Sequence, residues 1–115
     1  MPRQMFPNQI LAELEGELGL GESNLTQILS IDPRTLRRWR TGQAHPQHEA
    51  WARLFALQKL SRRLQETFTS VQAIRSWLHH SNRYLSQLSP AEVLRAGRID
   101  RVDAALEALD SGIFI

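Results

Sequence analysis

A run of arginines between positions 34 and 40 contains the residue types best suited to binding chemistry. Its polar members are Arg34, Thr35, Arg37, Arg38 and Arg40. In a helix, Leu36 and Trp39 lie three residues apart and face the same way, so the arginines occupy the remaining surface. A helix docked in the major groove of DNA needs this division, because its apolar side holds it to a scaffold while guanidinium groups reach bases and phosphates.

This stretch is predicted to be the second helix of a helix-turn-helix, since residues 22–29 favour a short helix about three residues before Pro33. Arg34 and Thr35 are best placed to read bases, with Arg37 or Arg38 one turn later. Arg40 and the more distant Arg53 are expected to contact phosphates. The alternative is that these arginines are ordinary surface, solvated or paired with the carboxylates of Glu13, Glu17 and Glu22.

The charge distribution favours a polyanionic partner for the middle of the chain. The net charge is only +2, but residues 34–63 contain one acidic residue, Glu49. The cations of that stretch are Arg34, Arg37, Arg38, Arg40, Arg53, Lys59, Arg62 and Arg63. Mildly acidic segments flank it on both sides, so the basic character is local.

Enzyme chemistry has little support in the sequence. There is no cysteine, and the six glycines are scattered as helix stops rather than grouped in a phosphate loop. His45 and His48 are separated by Pro46, and His79 and His80 are adjacent, so neither pair has the spacing of metal ligands. No catalytic residue, metal or cofactor is therefore expected.

Helix signals recur along the chain and strand signals are absent, which predicts an all-α fold. Asn8 is expected to cap a first helix, Pro46 to start a long helix ending near Phe68, and Thr69 with Gln72 to form a capping box for a fifth. Ser89-Pro90-Ala91-Glu92 predicts another helix start, and Asp100 the last one. Inward positions are expected to include Ile10, Leu11, Leu14, Leu18, Leu54, Leu57, Leu64, Ile74, Leu78, Val102, Leu106 and Leu109.

This organisation divides the chain into a helix-turn-helix domain with its long connecting helix over residues 8–66, and a second helical domain over residues 67–115. No apolar run approaches the roughly 20 residues of a membrane span, and the N-terminus carries no export signal, so a cytoplasmic protein without a membrane partner is expected.

Both halves resemble one known family. The stretch from Leu18-Gly19-Leu20 to Ile31-Asp32-Pro33-Arg34-Thr35-Leu36-Arg37-Arg38-Trp39 resembles the helix-turn-helix of Xre-type antitoxins. The second half resembles the toxin-binding domain of the Xre/MbcA/ParS antitoxins, through Trp77, Asn82, Leu85, Ser89-Pro90, Gly97-Arg98 and Gly112-Ile113-Phe114. The chain departs from the family pattern at Ser81, where proline is common, and at Ser86-Gln87, where small glycines are common.

The resemblance implies an antitoxin that covers the active-site cleft of a RES-domain, NAD-consuming toxin with its C-terminal region and binds its own promoter DNA. The implied toxin-binding residues are Trp77, Asn82, Arg98, Gly112, Ile113, Phe114 and Ile115. Homo-oligomers, or hetero-oligomers with the toxin, are expected.

The triplet Ile113-Phe114-Ile115 supports this interpretation independently, because three large apolar residues after a helix stop suit insertion into a cleft. The alternative is that the triplet folds onto its own core or pairs with a second copy. Two other functions stay open from the residues: a stand-alone transcriptional regulator that dimerises through its C-terminal half, and an interaction module whose basic helix is only surface.

Overall fold

The computed structural model describes residues 6–112, and that part of the chain is all-helical, as predicted. Seven α-helices and one 3-10 turn follow one another without a strand between residues 6 and 112. The helices are α1 (Pro7–Leu18), α2 (Glu22–Leu29), α3 (Pro33–Arg40), α4 (His48–Thr67), α5 (Val71–His79), α6 (Pro90–Arg95) and α7 (Ile99–Asp110), with the 3-10 turn at Arg83–Leu85.

Several helix starts differ from the predicted ones. The cap of α1 is Phe6, whose backbone N–H donates to the side chain of Gln9 at 3.0 Å, so Asn8 lies inside the helix. Pro7 occupies the first position, where its fixed φ suits a helix and its missing N–H costs nothing. Ser70 caps α5 by accepting from the N–H of Ala73 at 3.1 Å, which makes the predicted Thr69 capping box wrong.

The helix start predicted at Ser89-Pro90-Ala91-Glu92 is confirmed as the start of α6. The Ser89 hydroxyl accepts from the N–H of Glu92 at 3.1 Å, and the Glu92 carboxylate accepts from the N–H of Ser89 at 2.8 Å. This reciprocal pair satisfies two backbone donors that a helix start otherwise leaves open. α7 begins at Ile99, one residue before the predicted Asp100.

One hydrophobic core runs through both halves of the molecule. α1 packs against α4 and α5, α2 against α6, and α4 against α7. The predicted inward leucines and isoleucines of α1, α4 and α5 are buried, but Leu109 of α7 is 38 % exposed, so its assignment to the core was wrong. The predicted boundary between two domains, at residues 66 and 67, lies within this shared core. The division into two domains stays a prediction.

Ion pairs of Arg63 link α4 to α7. Its guanidinium group donates to Asp103 at 2.9 Å, Glu107 at 3.0 Å and Asp110 at 3.1 Å, three carboxylates on one face of α7. Thr67 adds a hydrogen bond to Asp110 at 3.0 Å. No helix within residues 6–112 has both the length and the apolar content needed to cross a membrane.

Candidate nucleic-acid and partner interfaces

α3 is fixed at its start by a side-chain cap and along its length by two buried residues. The Asp32 carboxylate accepts from the N–H of Thr35 at 2.7 Å, and that hydrogen bond, together with the charge of Arg34, lowers the pKa of Asp32. Leu36 and Trp39 are buried, as their spacing predicts. The opposite side of α3 therefore faces outward.

The turn between α2 and α3 requires a left-handed backbone. Ser30 has φ +57° and ψ +47°, and the N–H of Ile31 donates to the carbonyl of Thr26 at 3.0 Å, which closes the end of α2. A glycine adopts this conformation without the steric cost that a Cβ brings. Ser30 therefore adopts a conformation in which its Cβ carries a steric cost.

The outward side of α3 is cationic. Arg34, Arg37 and Arg38 are exposed, and with Thr41 and Gln43 they line a shallow depression of about 530 Å³. Thr35 lies half-buried at the start of the same helix. The depression has the charge and the donor groups that suit a phosphate backbone or a base edge.

The arginines of this region divide into two sets. Among residues 6–112, no ion pair includes Arg34 or Arg38. Arg37 pairs with Glu22 at 3.1 Å, but both side chains are exposed, and such a pair contributes about 0–1 kcal/mol. A phosphate can therefore replace Glu22 as the partner of Arg37 at low cost.

Arg40 and Arg53 occupy structural positions that the sequence did not indicate. Arg40 pairs with Glu15 of α1, and its Nε is buried without a hydrogen-bond partner. Arg53 donates from Nε to the carbonyl of Leu29 at 3.0 Å, which satisfies an acceptor in the last turn of α2. Both side chains link helices within the described structure, and the phosphate contacts expected of them stay predictions.

A second concave surface lies between α5, the 3-10 turn and α7. It is a groove of about 210 Å³ that contains Trp77 and Asn82, two of the residues that the resemblance assigns to toxin binding. Its other lining residues are Ser81, Arg83, Tyr84, Ala105 and Leu109. The groove thus combines aromatic and aliphatic side chains with polar groups, as the centre and rim of a protein interface do.

Asn82 shapes this groove. Its side chain accepts from the N–H of Tyr84 at 2.9 Å, and its backbone N–H donates to the carbonyl of Leu88 at 3.0 Å. The loop that follows is left-handed at Ser86, φ +59°, and Gln87, φ +70°. These are the two positions where the resemblance leads us to expect glycine, the residue that adopts positive φ without a steric cost.

The other predicted toxin-binding residues lie at the two ends of α7. Gly112, with φ +73°, follows the end of α7, and its N–H donates to the carbonyl of Leu109 at 3.1 Å. Arg98 precedes the first turn, roughly 16 Å from Leu109 along the helix axis, and pairs with Asp100 through bonds of 3.0 and 2.9 Å. Ile113, Phe114 and Ile115 lie outside the described residues.

Tyr84 and Leu109 were missed by the sequence reasoning as members of this surface. Leu109 follows Leu106 by three residues, and that helical spacing placed it wrongly in the core. Tyr84 is 39 % exposed in the 3-10 turn. A tyrosine in a polar loop is a signal for binding that was available in the sequence.

Comparisons with known proteins agree on one family. The family model described as the antitoxin Xre/MbcA/ParS C-terminal toxin-binding domain matches residues 63–112. The mycobacterial cidal antitoxin MbcA of Mycobacterium tuberculosis H37Rv is 34 % identical over 98 residues, covering 85 % of this chain and 86 % of the relative. A probable mycobacterial cidal antitoxin of the same organism is 29 % identical over 97 residues, covering 84 % and 82 %.

A solved structure extends the agreement to the fold. A chain in the crystal structure of the M. tuberculosis MbcT–MbcA toxin–antitoxin complex is 28 % identical, with a TM-score of 0.74, and the match covers 98 % of this chain and 100 % of that one. The resemblance read from the residues is thereby confirmed. The chain belongs to the Xre/MbcA/ParS antitoxin family, and it is an antitoxin of a toxin–antitoxin system rather than an enzyme.

Proposed function

We propose that this antitoxin neutralises a RES-domain, NAD-consuming toxin in the cytoplasm by occluding the toxin's active site with its C-terminal region. The observation that carries the proposal is the groove at the C-terminal end of α7, where Trp77, Asn82 and Leu109 come together. The groove lies within the residues that the toxin-binding family model matches. The similar solved structure is that of an antitoxin crystallised with a toxin, MbcT.

The physical basis is an apolar contact with a polar rim. Leu109 is 38 % exposed beside Trp77, so covering them removes apolar surface from water at roughly 25 cal/mol per Å². The side chains of Asn82 and Arg83 border that surface and supply the hydrogen bonds that orient a partner. The triplet Ile113–Ile115 follows Gly112 in sequence, and its participation in the same contact is part of the proposal.

A growth assay tests toxin neutralisation. The toxin encoded beside the antitoxin gene is expressed with the wild-type antitoxin, with a variant lacking residues 113–115, and with Leu109→Arg. Both variants are expected to lose the rescue of growth, because one removes the inserted triplet and the other places a charge in the groove. Full rescue by both variants would reject occlusion by this region.

We further propose that the antitoxin binds its own promoter through α3, with Arg34 and Thr35 nearest the bases and Arg37 and Arg38 beside them. Support comes from the exposed cationic depression and from Arg34 and Arg38, which have no ion pair in the described part of the chain. Arg40 contributes by holding α3 on α1 through Glu15. The α2–α3 unit then acts as the helix-turn-helix of residues 8–66.

The salt dependence of promoter binding tests this second role. With three to five phosphate contacts for each copy, the logarithm of the affinity should fall with the logarithm of salt concentration, by a slope of about 0.9 per contact. Fluorescence titrations of promoter DNA at salt concentrations from about 50 to about 300 mM measure that slope, because the affinity changes strongly over this range. A flat dependence would exclude the DNA role.

A further inference from the structure

The carboxylate of Glu22 lies beside the cationic side of α3. Glu22 is in the first turn of α2, where a negative charge interacts favourably with the helix dipole. Its Oε2 atom accepts a hydrogen bond from Nη1 of Arg37 at 3.1 Å, across the turn that separates the two helices. The side chains of Glu22 and Arg37 are 40 % and 61 % exposed, so a partner can reach the pair.

Arg37 is the central arginine of this cationic side. Arg34 precedes it by almost one helical turn and Thr41 follows it by slightly more than one, and all three line the same depression. Arg38 lines that depression too, and neither Arg34 nor Arg38 has an ion pair within residues 6–112. Glu22 therefore acts on the central arginine and leaves its two neighbours without a carboxylate partner.

The ion pair leaves most donors of Arg37 available. A guanidinium group carries five N–H donors in a planar fork, and the hydrogen bond to Glu22 occupies one of the two on Nη1. The remaining donors can bind a second acceptor. In the major groove a guanine edge offers two neutral acceptors, O6 and N7, whereas a backbone phosphate brings a negative charge.

We propose that Glu22 makes Arg37 select a guanine edge over a backbone phosphate. A phosphate bound to Arg37 lies beside the Glu22 carboxylate, within the Debye length of about 8 Å, so the two anions repel each other with little screening. Guanine carries no net charge and avoids that repulsion. Because an exposed ion pair is weak, the carboxylate favours one ligand without blocking the other. This inference rests on the proposed DNA role of α3 and names the base that its central arginine reads.

Glu22→Gln tests the proposal, because glutamine keeps the size of the side chain and removes its charge. Affinities of the full chain for promoter DNA and for unrelated DNA of equal length are measured by fluorescence anisotropy at several salt concentrations. The variant is expected to bind unrelated DNA about threefold to fivefold more tightly, with a salt slope larger by about 0.9, because Arg37 gains a phosphate. The affinity for promoter DNA should change less, so the ratio of the two affinities falls. Equal changes on both DNAs, or none on either, would overturn the proposal.

Two further variants separate the role of Glu22 from an effect of total charge. Glu66→Gln makes the same change of charge at an exposed residue about 27 Å along the axis of α4 from its start, and it should leave the affinity ratio unchanged. In an Arg37→Gln background, Glu22→Gln should no longer tighten the binding of unrelated DNA, because the arginine through which it acts is gone. A gain that persists without Arg37, or that appears in Glu66→Gln, would contradict the proposal.

Selection of bound sequences from a random DNA library tests the choice of base. The wild type is expected to enrich a guanine at one position where Arg37→Gln does not, and Glu22→Gln is expected to enrich that guanine more weakly. The same enrichment in all three proteins would reject guanine as the ligand of Arg37.

These measurements also distinguish the failure of this inference from the failure of the proposed DNA role. A wild type that binds DNA with a steep salt dependence, and whose affinity ratio does not change in Glu22→Gln, would keep the DNA role of α3 and lose the role of Glu22. A wild type with a flat salt dependence would reject both.

Discussion

Two surfaces of this antitoxin contain arginine and use it for different purposes. On α3, Arg34 and Arg38 are exposed and form no ion pair within the described chain. At the contact between α4 and α7, Arg63 donates to three carboxylates at once. The arginines of the first surface lack an ion pair in the described chain, whereas that of the second links two helices.

The difference comes from what each helix packs against. α7 presents Asp103, Glu107 and Asp110 at spacings of four and three residues, which places them in a row facing Arg63. α3 packs through Leu36 and Trp39, which leaves its charged side without a facing helix. Arg63 forms several ion pairs because a second helix brings carboxylates to it.

The largest expected effect is on DNA. Replacing Arg34 and Arg38 together by alanine should weaken promoter binding on the order of 100-fold, because each lost contact costs about 1–3 kcal/mol. The melting temperature should change little, since neither residue has an ion pair in the described structure. Fluorescence anisotropy and thermal melting measure the two effects.

The matched control for that variant is Arg98→Ala, an exposed arginine paired only with Asp100 in the described structure. It should leave promoter binding unchanged. If Arg98→Ala weakened binding as much as the α3 variant, the effect would reflect total charge rather than the position of α3.

The next effect is on stability. Arg63→Met keeps the apolar part of the side chain but leaves three carboxylates close together, so it should lower the free energy of unfolding by roughly 1–2 kcal/mol. Arg62→Met is the neighbouring control, because its pair with Glu13 is long, at 3.4 Å, and exposed on the arginine side. Equal losses in the two variants, measured by urea denaturation, would contradict the special role of Arg63.

A smaller effect, with the opposite sign, is expected at the left-handed serines. Ser30→Gly, and Ser86→Gly in the other half, should each raise the free energy of unfolding by roughly 0.5–1 kcal/mol, because glycine adopts positive φ without strain. Ser76→Gly, within the regular helix α5, should lower it by a similar amount. Thermal melting that gave all three changes the same sign would reject this explanation.

The smallest expected effect is a change of stability at acidic pH. Hydrogen bonds from the backbone of Thr35 and of Ser89 lower the pKa values of Asp32 and Glu92, the capping carboxylates of the two halves. Their contribution to stability is full above the unfolded pKa values and is lost as pH falls towards the lower folded ones. The stability difference between wild type and Asp32→Asn/Glu92→Gln, present at neutral pH, should therefore shrink as pH drops below about 4.

Urea denaturation at several pH values between neutral and about 3 measures that difference. A gap between wild type and the double variant that stays constant over this range would show that the two carboxylates do not cap as ions.

Much of the molecule could be predicted from local patterns. The caps at Asp32 and Ser89, the buried pair Leu36 and Trp39, and the stop at Gly19 each depend on neighbours within a few residues. For the same reason the all-helical fold and the cationic side of α3 were predicted correctly.

What could not be predicted depended on contacts between distant parts of the chain. Nothing local in the sequence reveals that Glu15 lies beside Arg40 or that the carbonyl of Leu29 lies beside Arg53. Leu109 has the spacing of a core residue, and only the position of α5 and the 3-10 turn leaves it exposed in a groove.

The most direct test of the central claim is the affinity of the toxin for two variants, each altered on one surface. Calorimetric titration of the toxin into Leu109→Arg should show no binding, whereas titration into Arg34→Ala/Arg38→Ala should match the wild type. Wild-type affinity for Leu109→Arg, in a variant that melts as the wild type does, would contradict the assignment of the toxin to the groove at the end of α7.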